Sequence, residues 1–116
     1  MFERRAVVFL SHADEAALRL AGSCALAAAA LGDRVDVFLF GPAVGAVIAA
    51  HAEASDEPGG LLHQARAGGG CRLVACSASV VEARVPLAAA EQALDAVVGW
   101  PTIIEWSRGV VDRFFF

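Results

Sequence analysis

The chain has 116 residues, of which 58% are hydrophobic and 19% are charged, and its formal net charge is −4. This length and composition exclude a disordered chain and leave no room for a second core, so residues 1–116 are expected to form one domain. The acidic balance disfavours nucleic acid as a partner. All nine basic residues are Arg, which excludes a Schiff-base lysine and a phosphate-loop lysine.

The sequence predicts a cytoplasmic protein with no membrane partner. The apolar run at residues 6–10 is followed by Asp14 and Glu15, where a signal peptide would have its cleavage region. The longest apolar stretch, residues 20–31, is too short to span a bilayer. The three cysteines are therefore expected to be reduced. Because they form no C-x-x-C pair, we expect no metal, and no cofactor is expected either.

The first half of the chain alternates apolar strands with Ala-rich helices. Residues 4–10 predict a strand buried on both faces, since they run apolar without alternation. Ser11 is predicted to begin the cap of a helix that ends at Leu31, and the inner stripe of this helix is expected at Leu20, Cys24, Ala27 and Leu31. A second strand is predicted at 34–40. Pro42 is expected to open a helix that ends between His51 and Ala54.

The second half continues the same alternation. Residues 55–60 read as a loop, and the Gly run at 68–70 ends a short helix. The Pro residues at 86 and 101 are placed to open helices. The predicted elements are a helix at 61–67, a strand at 71–76, a helix at 86–94, a strand at 95–100, a helix from 101 and a strand at 110–116. The order of elements predicts βαβ units, with a mostly parallel five-stranded sheet covered by helices on both faces.

In an open parallel sheet, ligands bind beyond the carboxyl ends of the strands. Cys76 ends the third predicted strand and enters a helix, where free backbone N–H groups would favour a thiolate. The alternative is a buried thiol that acts as a small apolar residue. Two alternatives are open for His12: it polarises the Cys76 thiol, or it is simply solvated near the start of a helix. Cys24 and Cys71 are expected to have structural roles. The possible pocket lining at this edge is Ser11, His12, Gly41, Ser77, Ser79 and Trp100.

The chain resembles the DsrE/DsrF-like family of small sulfur-handling proteins. The resemblance rests on "AVVFLSHADEAALRLAGSCALAAAALGDRVDVFLFGPAV", "LLHQARAGGGCRLVACSAS" and "LDAVVGWPTIIEWSRGVVDRFFF". It implies a three-layer α/β/α sandwich, assembled as a homo-oligomer (a trimer or hexamer), and places the reactive thiol at Cys76. Relay members commonly carry an Arg-Gly pair in the helix after the cysteine, whereas here Arg84 is followed by Val85.

Two functional hypotheses follow. The first is a cytoplasmic sulfur carrier that holds persulfide sulfur on Cys76, receives it from a donor protein and passes it to an acceptor protein. The second is a non-catalytic oligomeric module of the same fold that binds a small ligand or a partner. In this module Cys76 only lines the binding site. The sequence leaves open whether the protein is an enzyme.

Overall fold

The computed structural model describes residues 4–53 and 58–116. In this part of the chain five strands and six helices alternate, with two helices between β2 and β3 and two between β3 and β4. The elements are β1 (Arg5–Leu10), α1 (Glu15–Ala30), β2 (Arg34–Leu39), α2 (Pro42–Ala52), α3 (Pro58–Ala67), β3 (Cys71–Cys76), α4 (Ser77–Glu82), α5 (Leu87–Ala93), β4 (Ala96–Val98), α6 (Trp100–Trp106) and β5 (Asp112–Phe115). Among these described helices, none is long and apolar enough to cross a membrane.

The strands form one sheet in the order β4-β3-β2-β1-β5, and every neighbouring pair is parallel. The chain moves across the sheet in one direction from β1 to β4 and then returns to place β5 on the far side of β1. Because crossovers are right-handed, this reversal puts α1 to α5 on one face and α6 on the other. The expected α/β sandwich on a five-stranded sheet is confirmed, and the sheet is parallel throughout.

The two faces of the sheet are covered unequally. Alternate residues of the strands pack with α1 to α5 in a large buried cluster that includes Val8, Val37 and Leu73. The opposite residues form a smaller cluster, completed by α6, whose buried members are Val7, Phe38, Val74, Cys76, Ile103 and Val110. Of the candidate site residues, Cys76 and Trp100 lie on this thinner side.

The start of α1 differs from the expectation. Asp14, not Ser11, is the N-cap, and its carboxylate accepts a hydrogen bond of 3.2 Å from the N–H of Ala17. The Ser11 hydroxyl instead donates to the Phe116 carbonyl at 3.3 Å. The cap predicted at Ser11 was therefore wrong by one turn, because an acidic side chain at position 14 can reach the free N–H groups directly.

The predicted inner stripe of α1 was also wrong. Leu20 and Leu31 are 56% and 84% exposed, and the buried positions are small: Ala17, Ala21, Gly22, Ala25 and Ala28, together with Leu18. The reason is a close approach to α3, where a Cβ on Gly22 would lie 2.5 Å from Leu61 Cβ. Small residues face the neighbouring helix, so the large ones are left outside.

Other boundaries moved by smaller amounts. The predicted 55–60 loop lies partly outside the described residues, and from Pro58 onward the chain is already helical, as suits Pro in a first turn. The predicted strand at 95–100 is shorter and ends at Val98, so Trp100 begins α6 instead. The last strand covers Asp112–Phe115 instead of 110–116.

Candidate functional site at the carboxyl edge of the sheet

The carboxyl edge brings the predicted residues to one side of the sheet but does not gather them all. Cys76 ends β3, whereas His12 follows β1, and β2 lies between these two strands. Neighbouring strands are about 4.8 Å apart, so the two positions are separated by about 10 Å across the sheet. His12 is exposed, and its Nδ1 lies 3.3 Å from the Ser11 hydroxyl. The geometry therefore pairs His12 with Ser11 and not with the thiol.

Cys76 is both the last residue of β3 and the N-cap residue of α4. Its backbone is extended, and its side chain makes no capping hydrogen bond. The residue is only 3% exposed and belongs to the small cluster that Ile103 of α6 completes. Reaction at this sulfur therefore requires movement of the residues that cover it. One of them, Ile103, belongs to α6, a separate helix that packs on this face of the sheet.

The other two cysteines lie in settings that disfavour thiolate chemistry. Burial, followed by the charges of Asp95 and Asp36, raises the pKa of the Cys71 thiol to about 12. Burial and the charge of Asp112 also raise the pKa of the Cys24 thiol. Both residues pack with the large cluster, which fits the structural roles expected for them.

Gly41 and Ser79 join the end of β2 to α4. The N–H of Gly41 donates a 2.9 Å hydrogen bond to the Ser79 hydroxyl, and Gly41 has φ 54° and ψ −135°, a conformation that only Gly adopts readily. A cleft of about 240 Å³ opens beside them, lined by Gly41, Pro42, Ser79, Glu82 and Ala83. Ser79 is buried and bonded, whereas Ser77 is exposed next to the thiol residue.

Trp100 lies at one end of an aromatic row across the α6 face. Its ring stacks on Phe40 with centroids 5.0 Å apart, Phe40 stacks on Phe9 at 6.2 Å, and Phe9 stacks on Phe115 at 4.9 Å. Trp100 and Phe115 are 53% and 71% exposed. Sequence reasoning identified Trp100 but missed Phe9 and Phe115, whose pairing depends on the β1–β5 register.

A charged cluster at the amino ends of the strands was missed altogether. The Asp36 carboxylate accepts two hydrogen bonds from Arg72, at 2.9 and 3.0 Å, and lies 3.6 Å from Arg5. The Arg72 guanidinium stacks 3.9 Å from the Trp106 ring centroid, and its hydrogen bond to Asp36 raises the pKa of Arg72. The available signal was an Arg near the start of each of the first three strands, with an Asp inside the second. This cluster anchors the end of α6 to the sheet, since Arg5 also donates to the Trp106 carbonyl.

The model of the DsrE/DsrF-like family matches residues 5–108, from β1 through α6. The chain belongs to the DsrE/DsrF-like family. The resemblance read from the sequence is thus confirmed over nearly the whole chain. Among curated proteins, none matches the chain.

In this DsrE/DsrF-like protein the Cys76 thiol lies at the carboxyl edge of the sheet. Within residues 4–53 and 58–116, no group of three or more His, Cys, Asp or Glu side chains could hold a metal ion. The exposed polar groups nearest to Cys76 in the chain are those of Ser77.

Proposed function

We propose that this DsrE/DsrF-like protein is a sulfur carrier that holds one sulfur atom as a persulfide on Cys76. The observation that carries the proposal is the position of Cys76, at the carboxyl end of the inner strand β3 in a chain of this family. Parallel sheets have their binding sites at this edge. The raised pKa values of Cys24 and Cys71 make those thiols poor nucleophiles, because the thiolate is the attacking species.

The transfer step is a thiol–persulfide exchange without net oxidation. The Cys76 thiolate attacks the terminal sulfur of a donor persulfide, R–S–SH, so that a new S–S bond forms on Cys76. The S–S bond of the donor breaks, and the donor leaves as the thiolate R–S⁻. An acceptor thiolate then attacks the terminal sulfur on Cys76 in the same way and regenerates the free thiolate.

The exchange needs access to a sulfur that is buried in the closed structure. The cover includes α6, a seven-residue helix that inserts Ile103 into the cluster containing Cys76. A donor protein that displaces this helix would expose the thiol and exclude water from it at the same time. The carrier would therefore release sulfur to a docked acceptor and protect it between encounters.

Incubation with a small persulfide donor, followed by intact-protein mass spectrometry, tests the proposal. We expect an increase of about 32 Da, one sulfur atom, that reverses with dithiothreitol. The Cys76→Ser variant should lose the increase, whereas the matched Cys24→Ser variant should keep it. An equal increase in both variants would place the sulfur elsewhere and refute the assignment.

The proposed partners are a sulfur-donor protein, a sulfur-acceptor protein and further copies of the chain, as a trimer or hexamer. The exposed apolar side chains of Leu31 and Val81 support self-association, because contact of large apolar groups with water is unfavourable. A reducing cytoplasm suits the chemistry, because it keeps thiols and persulfides from forming stable disulfides. Light scattering at micromolar concentration should give a mass above 12.0 kDa, and a monomeric mass would contradict the oligomer.

A second candidate is an oligomeric binding module without sulfur transfer. It is favoured by the 3% exposure of Cys76, which is also what a thiol that serves only as packing would show. Sulfur uptake separates the two candidates. A carrier should gain the additional sulfur atom on Cys76 from the small persulfide donor, whereas the binding module predicts no such gain at Cys76.

A further inference from the structure

A groove runs between α6 and the edge strand β5 on the thinly covered face of the sheet. Its volume is about 310 Å³, and its lining is Phe9, Trp100, Ile103, Ile104, Ser107, Arg108 and Arg113. The groove exists because β5 lies beyond β1, on the side of the sheet opposite to β2, and α6 does not extend over it. Cys76 is not among the lining residues, so the groove is separate from the proposed sulfur site.

The floor and one wall of the groove are apolar. Phe9 lies on the floor, stacked between Phe40 and Phe115, and Ile103 is buried at the base of α6. Trp100 and Ile104 are 53% and 52% exposed along the helix. A flat apolar body lying on Phe9 would remove Phe9, Trp100 and Ile104 from water, which is favourable in proportion to the area buried.

The rim of the groove carries positive charge. Arg113 is opposite Val7 in the β1–β5 register, which sets it on the α6 face, whereas the adjacent Asp112 points to the other face because strand residues alternate. The Arg113 guanidinium donates to the Ser107 carbonyl at 3.3 Å, and a guanidinium has five N–H donors. Arg108 pairs with Glu105 at 3.5 Å, so the two arginines and this one glutamate leave one net positive charge at the rim.

We propose that this groove binds a small organic anion with a flat apolar body and one carboxylate. The apolar body lies on Phe9 against Trp100 and Ile104, and the carboxylate accepts hydrogen bonds from Arg113, with Arg108 as a second cation. The volume is near the lower end of known ligand pockets, about 300 Å³, which favours a ligand of one or two rings. An inorganic anion would leave the apolar floor in water, and a neutral hydrocarbon would leave the arginines unused.

Two probes of the same shape test the proposal: 2-naphthoate, which is charged, and 2-naphthamide, which is neutral. Each is titrated into the ¹⁵N-labelled full chain, and the indole N–H signal of Trp100 reports occupancy of the groove. We expect 2-naphthoate to bind at least fivefold more tightly than 2-naphthamide, since a charge-assisted hydrogen bond at an exposed site adds about this factor. The Arg113→Gln variant should weaken 2-naphthoate about fivefold and leave 2-naphthamide unchanged.

Two control variants accompany the titrations. Arg19→Gln removes an exposed arginine that pairs with Glu15 on α1, so this variant should bind both probes as the parent does. Cys76→Ser should also keep full binding, which separates this proposal from sulfur carriage. Equal affinity for the two probes, or no effect of Arg113→Gln, would overturn the charge argument. A groove occupied by a second copy would appear as a stable dimer by light scattering with no probe binding, and would overturn the proposal as well.

Discussion

The substitution Ile103→Ala tests whether α6 is the cover over the Cys76 thiol. Ile103 is 1% exposed and lies in the same buried cluster as Cys76. Removing a buried Ile side chain to Ala costs about 2 kcal/mol or more. Because Ile103 is the buried residue of α6, most of this loss should appear as easier opening of that helix.

The expected size of the effect follows from the opening equilibrium. When opening is fast relative to modification, the alkylation rate is proportional to the population of the open form. A loss of about 2 kcal/mol raises that population about 30-fold. The rate of modification of Cys76 by N-ethylmaleimide should therefore rise by about this factor, measured by mass spectrometry of the Cys76 peptide.

The same helix and the same sheet offer two matched references. Ile104→Ala removes a side chain that is 52% exposed, so the rate at Cys76 should change by less than about threefold. Cys71 begins the same strand in the large cluster under α1 to α5 and should be modified only on global unfolding. Equal rates at Cys76 in the two isoleucine variants, or modification of Cys71 as fast as that of Cys76, would refute the view that α6 covers the thiol.

Four further substitutions test packing, backbone conformation and charge. Gly22→Ala should lower the free energy of unfolding in urea by about 1–3 kcal/mol, because its Cβ would lie 2.5 Å from Leu61 Cβ. The matched variant Gly45→Ala meets open space within α2 and should raise the free energy of unfolding by about 0.5–1 kcal/mol. Equal effects of the two substitutions would contradict the close contact between α1 and α3. Arg84 has φ 57°, so Arg84→Gly should stabilise the fold by about 0.5–1 kcal/mol, and a loss in urea unfolding would count against left-handed strain there. Burial lowers the pKa of His63 below 6.5, so the folded state should lose stability as pH falls below about 6.5. His63→Gln should flatten this decline in stability between pH 7.5 and 5.5. An unchanged slope would assign the decline to other titratable groups.

The regular alternation of strands and helices made the fold predictable. Apolar runs such as residues 71–76 are bounded by Gly on one side and small polar residues on the other, and β3 has the predicted ends. Helix faces were less predictable, as α1 shows. An Ala-rich helix has no strong contrast between its sides, so the buried side is decided by the neighbour that approaches closely, here Leu61 opposite Gly22.

The candidate site was predictable only in part. The rule for parallel sheets correctly places the ends of β1, β2 and β3 at one edge, but the strand order decides which ends are neighbours. The sequence could not show that β2 separates His12 from Cys76. The groove between α6 and β5 exists because the chain reverses its direction across the sheet and places β5 on the far side of β1. No sequence pattern in the residues that line the groove indicates this reversal.

The position of β5 also has a consequence for the order in which the protein folds. Each of the pairs β1–β2, β2–β3 and β3–β4 closes through one crossover, whereas Ala6 pairs with Asp112 across nearly the whole chain. Contacts between distant parts of a chain form late because closing a long loop costs more entropy. We therefore expect β5, and with it the α6 layer, to dock last. Until it docks, the newly made chain presents the Cys76 sulfur to solvent and to cellular oxidants.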